Sequence, residues 1–323
     1  MKAILLKEYG LPNVLEIGEV AIPVPNANEV LVKIHSASIN DWDWGIVRGK
    51  PFVIRLFFGL KKPKIPIPGV DISGKIEAVG GNVRSFNIGD EIYGDLSECG
   101  CGGFAEYVCV PEKELSKKPS NISHNDTSAL PHAGLLALQG LVEMGKVKSG
   151  QSILINGAGG GVGTLGIQIL KSYGVKVTGV DSAEKLDLMK SLGFDSVMDY
   201  KKVDFTDTGE KYDLILDTKS NRSVFKYARS LKENGRYITV GGSMYRLLEI
   251  ALFGSLIVLF TGKKLSVLIH KPNKGLDQIS EFVEKGQMKP VVDGPYGFDK
   301  IPELIQYFGE GRHLGKIVIE IKK

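Results

Sequence analysis

Cysteine is scarce: Cys99, Cys101 and Cys109 are the only three in 323 residues. An odd number cannot all pair, and the spacing shows no disulfide framework, so a reducing cytoplasm is the expected compartment. Basic runs are lacking too. The lysines are scattered and the net charge is only +4, which argues against nucleic-acid binding. Long hydrophobic runs are also missing. The most apolar stretch, 247–260, contains Glu249 and is too short and interrupted for integral membrane insertion. It reads as a buried or pocket-lining helix, with a dimer contact or a peripheral membrane contact as alternatives. At the start, MKAILLKEYG is broken by Lys7 and Glu8, too early for a signal peptide. With 43% hydrophobic and 24% charged residues, a chain of this length can build two globular cores.

Short β-branched runs punctuated by Gly, Pro and Asn occupy the first part: 30–34, 70–79, 91–93 and 104–110. This texture predicts a compact, mostly antiparallel β domain. After about Asn121 the texture changes. SILING, VGTLGIQILKSYG, VKVTGVD, EKLDLMKSLG, DSVMDY and DLILD alternate strand with helix, followed by a helix from about Arg222 and by YITVGG. Such alternation predicts an α/β domain with a doubly wound parallel sheet. Near Lys289 the alternation stops, and GKIVIEI reads as a final strand that returns to the first domain. The expected division is 1–121 with 289–323 against 122–288.

The most informative stretch is Gly157-Ala158-Gly159-Gly160-Gly161-Val162-Gly163, which follows strand 152–156 and opens a helix. Small residues let the backbone approach a pyrophosphate, whose charge the helix N-terminus favours. In a dinucleotide fingerprint Ala158, Gly160 and Gly163 take the three glycine places. Asp181 ends the next strand at about the expected distance. A carboxylate there accepts from ribose hydroxyls and repels a 2′-phosphate, by about 4 kcal/mol for a contact pair at intermediate dielectric. NADH is thereby favoured over NADPH, although Ser182 and Lys185 could hold a phosphate if Asp181 turned away. Gly241, in the VGG turn, is a further candidate for cofactor contact.

Together these segments resemble the medium-chain dehydrogenase/reductase superfamily, in its zinc-less quinone oxidoreductase-like branch. The resemblance rests on MKAILLKEYG with PNVLEI, HSASINDWDWGIVRGK, IPGVDISGKIEAVGGNV, FNIGDEIYG, GFAEYVCVP, NGAGGGVGTLGIQILK and GKIVIEI. It implies a GroES-like β domain formed from both chain ends, a Rossmann nucleotide-binding domain, and an active site in the cleft between them. The zinc-dependent members hold catalytic zinc with Cys, His and a further Cys or acid. At the matching places this chain has Asn40, Val70 and, less securely aligned, His132. No catalytic zinc is expected, nor a structural zinc on three cysteines.

The implied activity is an NAD(P)H-dependent reduction of quinones, enones or related apolar carbonyl compounds. Asn40 and Asp43 match the branch's Asn-x-x-Asp pattern. Asn40 is the candidate donor to the carbonyl oxygen, and Asp43 is expected to order the loop, with Arg48 as its candidate partner. Asn40 reads equally as a loop-stabilising amide. His132, before a helix, is a candidate proton donor because an unperturbed histidine titrates near neutral pH; a packed histidine is the alternative. The aromatic and aliphatic residues between Trp42 and Leu60 suit the wall of an apolar pocket or a core. A homodimer is left open. The competing readings are a non-catalytic cofactor-binding protein of this fold and an alcohol dehydrogenase-like enzyme.

Overall fold

The computed structural model describes residues 1–321. They form two compact units, one of residues 1–135 and 272–321 and one of residues 136–271.

In the first unit β1 (Lys2–Leu6) pairs antiparallel with β2 (Leu15–Glu19). The main sheet is built on β3 (Glu29–Ser38), whose alternating burial puts Val30, Val32 and Ile34 in the core. Next come α1 (Asp41–Arg48) and α2 (Val53–Phe58). β4 (Asp71–Val79), β5 (Glu91–Asp95), β6 (Tyr107–Pro111) and β7 (Ser116–Lys117) complete its antiparallel part. Helices α3 (His124–Ser128) and α4 (Pro131–Leu138) follow.

The second unit alternates β8 (Ser152–Asn156), α5 (Gly161–Leu170), β9 (Lys176–Asp181), α6 (Leu186–Leu192) and β10 (Ser196–Asp199). It continues with β11 (Tyr212–Asp217), α7 (Val224–Arg229), β12 (Leu231–Thr239), α8 (Met244–Thr261) and β13 (Lys264–Val267). All pairings in this sheet are parallel, in the order β10-β9-β8-β11-β12-β13. Counted from β8 that order is 3-2-1-4-5-6, the doubly wound arrangement. Its direction reverses between β8 and β11, where such sheets bind ligands at their carboxyl ends.

The chain then supplies α9 (Leu276–Glu284), β14 (Val292–Gly297), α10 (Ile301–Gly309) and β15 (Lys316–Glu320) to the first unit. β15 pairs antiparallel with β3, so this sheet is closed by the chain's own tail. The junctions differ from the expected 121/122 and 288/289. α9 looks in sequence like one more Rossmann helix, but Tyr93 on β5 donates to the Leu276 carbonyl at 2.8 Å and meets Ser280 at 2.8 Å. Asn273 bonds the Asp95 backbone in both directions, at 2.8 and 2.9 Å. These contacts place α9 in the first unit and move the return to residue 272.

Two expectations from the apolar segments are revised. The 42–60 stretch is helical over most of its length. Trp42, Trp44, Ile54 and Phe58 pack on the core, while Phe52, Leu56, Phe57 and Leu60 are exposed. α8 is not the buried helix its hydropathy suggests, because only Ile250, Gly254 and Ile257 are buried.

Candidate functional site

The end of β3 and the start of α1 bring Ser38, Asn40, Asp41 and Asp43 together. Asn40 is the N-cap of α1, and the Asp43 carboxylate accepts from the Asn40 backbone N–H at 2.8 Å and from Gly69 N–H at 3.1 Å. Asp43 therefore orders the loop through backbone donors rather than through Arg48, whose guanidinium stacks on Trp44 at 4.2 Å. Burial pushes the Asp43 carboxyl up to about 7.

Lys316, at the start of β15, is 4% exposed. Its ammonium donates to the Asn40 Oδ1, to the Ile39 carbonyl at 3.2 Å and to Asp71 Oδ2 at 3.2 Å. A lysine ammonium has three protons, so these three acceptors account for all of them. The bond to Oδ1 fixes which way the Asn40 amide faces. Its Nδ2 lies 3.5 Å from the Ser38 carbonyl and also interacts with the Asp71 carboxyl, which it lowers; an amide nitrogen carries two donors. Asp71 also accepts from Ser38 Oγ and from His132 N–H. Burial raises the Asp71 carboxyl more than Lys316 lowers it.

His132 lies in the first turn of α4 rather than before it. Its Nδ1 is 2.8 Å from Asp95 and its Nε2 is 3.2 Å from Asp41. Burial alone would lower its pKa, but the carboxylates of Asp95 and Asp41 outweigh that and raise it from 6.5 to about 10. The Asp41 side chain is 59% exposed; desolvation pushes its carboxyl up, and the bonded, charged His132 overrides that and holds it below its ordinary value. The imidazole is thus cationic at neutral pH, clamped on both nitrogens, and does not titrate near 7 as an unperturbed histidine would.

This has a consequence for stability. A histidine with a raised folded pKa stabilises fully below its unfolded value and loses that contribution as pH rises through the folded one. Raising the pH from about 6.5 through about 10 is therefore expected to lower unfolding free energy by on the order of a few kcal/mol. Urea unfolding of wild type and His132→Gln across that range measures it. Equal pH slopes for the two proteins would contradict the clamp.

In the second unit the glycine loop joins β8 to α5. Gly157 has φ +86°, and a Cβ there would lie 2.0 Å from Thr218 Oγ1, so only glycine fits. A Cβ on Gly163 would meet the Ala158 backbone at 2.3 Å, and one on Gly159 would meet the Lys185 side chain at 2.6 Å. Gly160 differs. Its φ of −87° suits any residue, and the nearest atom to a Cβ would be 3.6 Å away. Gly160 is the N-cap of α5 and has no side chain to cap it, and Gly161, Val162 and Gly163 open the first turn. Their N–H groups and the open space at Gly160 form a cradle that fits a pyrophosphate.

Asp181 ends β9 and is buried. It accepts from Gly159 N–H at 2.8 Å and Ser182 N–H at 2.9 Å, and the buried Lys185 ammonium lies 3.6 Å away. Asp181 and Lys185 thus come as a pair, with Lys185 lowered by burial more than Asp181 raises it. Gly241 follows β12, its N–H on Thr239 Oγ1 at 3.2 Å, and a Cβ there would meet open space. At the reversal point of the sheet, Asn156 Nδ2 donates to Asp217 Oδ1 at 2.8 Å, and Tyr237 donates to Asp217 Oδ2 at 2.9 Å.

The structure brings Asn40 and Asp43 together, and His132 joins them through Asp71. It also assembles the glycine loop with Asp181, Ser182 and Lys185. Sequence reasoning missed Asp41, Asp71, Asp95 and Lys316, and on the nucleotide side Asn156 and Asp217. The signal available was a charge beside an apolar strand, as in GVD at Asp71 and LGKIVIEI at Lys316.

A GroES-like β unit with its tail strand added, and a doubly wound nucleotide-binding sheet, define a dehydrogenase/reductase of the two-domain kind. The alcohol dehydrogenase GroES-like domain family matches residues 26–120, and the family described as zinc-binding dehydrogenase matches 192–319. A 2-methylene-furan-3-one reductase from Solanum lycopersicum is 34% identical over 99% of this chain and 79% of its own length. A chloroplastic NADPH-dependent alkenal/one oxidoreductase from Arabidopsis thaliana is 32% identical with the same coverage. The structure of the quinone oxidoreductase from Coxiella burnetii superposes with a TM-score of 0.89 at 26% identity, over 100% of this chain and 99% of that one. The chain belongs to the medium-chain dehydrogenase/reductase superfamily, in its quinone oxidoreductase-like branch, and is an NAD(P)H-dependent oxidoreductase.

Proposed function

We propose that this chain is a zinc-independent reductase that passes hydride from a nicotinamide cofactor to quinones, enones or related apolar carbonyl compounds, with NADH favoured. The observation that carries the reading is the Asn40–Lys316 pair. Asn40 stands at the expected place of a zinc ligand, yet its one acceptor oxygen already takes a proton from a buried ammonium. Val70, at another such place, is fully buried and has no donor atom. A metal dication against Asn40 would meet the Lys316 charge, so Asn40 and Val70 do not fit zinc. His132, grouped with Asp95 and His270, holds its two ring nitrogens on Asp95 and Asp41 instead. The three thiols are free, and among the described residues no cluster of metal-ligating side chains includes a cysteine.

When bound, the cofactor supplies the hydride. The chain supplies position and polarisation. Addition of hydride to the carbon–carbon double bond of an enone sends charge to the carbonyl oxygen. Asn40 Nδ2 is the group that donates to that oxygen, with its orientation fixed by Lys316. Donors pre-set toward developing negative charge are worth about 2.7–4 kcal/mol each in other enzymes. Asp43 positions Asn40 by holding the N-terminus of α1. His132, held cationic, positions Asp41 and Asp95, and solvent supplies the proton that completes the product.

On the nucleotide side Asp181 accepts from ribose hydroxyls with its remaining lone pairs. Lys185 offsets most of its charge, so the expected NADH preference is modest, about 1 kcal/mol or roughly fivefold in kcat/KM. Asp181→Asn keeps the shape, frees Lys185 and is expected to turn the ratio toward NADPH. Initial rates for both cofactors with one quinone at low salt read this directly, and a ratio unmoved by the substitution would contradict it. As for the metal, the purified protein is expected to carry no stoichiometric zinc by elemental analysis and to keep its rate in a strong chelator. One tightly held zinc per chain would refute that part.

A further inference from the structure

α8 carries two apolar stripes on opposite sides. Ile250, Gly254 and Ile257 face the sheet and are buried. Tyr245, Leu248, Leu252, Leu256 and Leu259 recur at intervals of three and four residues, so they share one face. That face is open: Leu252 is 68% exposed, Leu259 75% and the neighbouring Phe260 80%. On a surface helix of a globular domain this face is ordinarily polar. The only charges on α8, Arg246 and Glu249, are spent on each other at 2.7 Å. At about 27 Å long, a helix of this exposure presents an apolar patch beyond what a lone globular surface usually shows.

The flank of the patch is basic. From Ile250 to Lys271 the sequence has no acidic residue and has lysines at 263, 264 and 271. Lys263 folds back onto the Ala228 carbonyl at 2.8 Å, and burial together with Lys211 lowers it more than Glu233 raises it. Lys264 and Lys271 are exposed. On the adjoining α7, Lys226 is held by Asp204 and Asp207, while Arg229 is exposed and Phe225 packs on Phe253. A broad leucine and phenylalanine face with the exposed Lys264, Lys271 and Arg229 nearby, and with Asp204 and Asp207 taken up by Lys226, suits an anionic lipid surface. A protein partner would call for a rim of mixed polarity.

Both ends of α8 are tied to neighbouring parallel strands, β12 and β13, so the helix cannot cross a bilayer. It can lie along one. We infer that the outward face of α8 docks the protein on an anionic phospholipid surface, with Leu252 and Leu259 in the acyl boundary and Lys264 and Lys271 at the headgroups.

The test is cosedimentation of the full chain with vesicles of phosphatidylcholine alone and with a quarter phosphatidylglycerol. The expected result is binding to the anionic vesicles that weakens at high salt. Leu252→Glu with Leu259→Glu should cut the partition coefficient by at least about tenfold, and Lys264→Glu with Lys271→Glu by a similar factor. Thermal melting and NADH binding check that the leucine variant folds, and the lysine pair, on the surface, keeps the test open if it does not. Wild type left in the supernatant with both vesicles, or binding unchanged in either variant, overturns the inference. So does a dimer of wild type in sedimentation velocity that the leucine variant converts to monomer, since a second copy would then cover the face.

Discussion

Gly160→Val is expected to leave a folded protein that no longer binds NADH or NADPH measurably, a loss of at least about a hundredfold in affinity. The protein itself has room for the side chain, because the nearest atom to a Cβ is 3.6 Å away and the backbone already sits at φ −87°. What the valine fills is the space where backbone approaches pyrophosphate. Gly163→Val is expected to behave differently. Its Cβ would collide with the Ala158 backbone at 2.3 Å, so it should lower the melting temperature along with cofactor affinity. Melting curves and cofactor titration on both variants separate the two glycines. Undiminished NADH affinity in Gly160→Val would remove the loop from the cofactor site.

Lys316→Met is expected to cost about 3–5 kcal/mol of stability, the usual effect of stripping one partner from a buried charge pair. Asp71 would be left buried without its cation, and the Asn40 amide would lose the bond that fixes its orientation. Adding Asp71→Asn should recover a good part of the stability, since the uncompensated charge goes with it. It should not recover kcat, because the Asn40 amide stays free to turn. Denaturant unfolding and steady-state rates on both single variants and the double variant give the coupling. Additive stability losses, with no recovery in the double variant, would show that Lys316 and Asp71 do not act as a pair.

The parts of this site that could be read from sequence are those whose chemistry is local. The glycine loop announced itself because strand, small residues and helix follow one another, and Asp181 lies one strand further on. Even there, a sequence cannot say that Gly160 leaves space while Gly163 is packed against Ala158, since that depends on where α5 crosses its own loop. The end proposed to bind the carbonyl was legible at Asn40 and Asp43, three residues apart on one helical turn, and in the presence, not the state, of His132. Lys316 joins Asn40 across 276 residues, and Asp95 joins His132 across 37. No periodicity encodes such pairings.

The state of His132 was illegible for the same reason. The residue type sets a titration near neutrality, and two carboxylates from other segments move it to about 10. The unit boundary near residue 272 escaped because Tyr93 and Asn273, not the helix pattern of α9, decide where that helix packs. In α8 hydropathy spoke correctly of apolar surface and wrongly of burial. A run of leucines shows that water is avoided, and leaves open what replaces it.

The central claim is that hydride passes from a nicotinamide to the double bond of a carbonyl-conjugated acceptor without a metal. The most direct measurement is single-turnover reduction of an enone by NADH deuterated at the transferable position, in excess chelator, with mass and NMR analysis of the product. The account expects one deuterium, at the carbon β to the carbonyl, and a rate unchanged by chelation. Product lacking deuterium, or a reaction that stops in chelator and resumes with zinc, would contradict it.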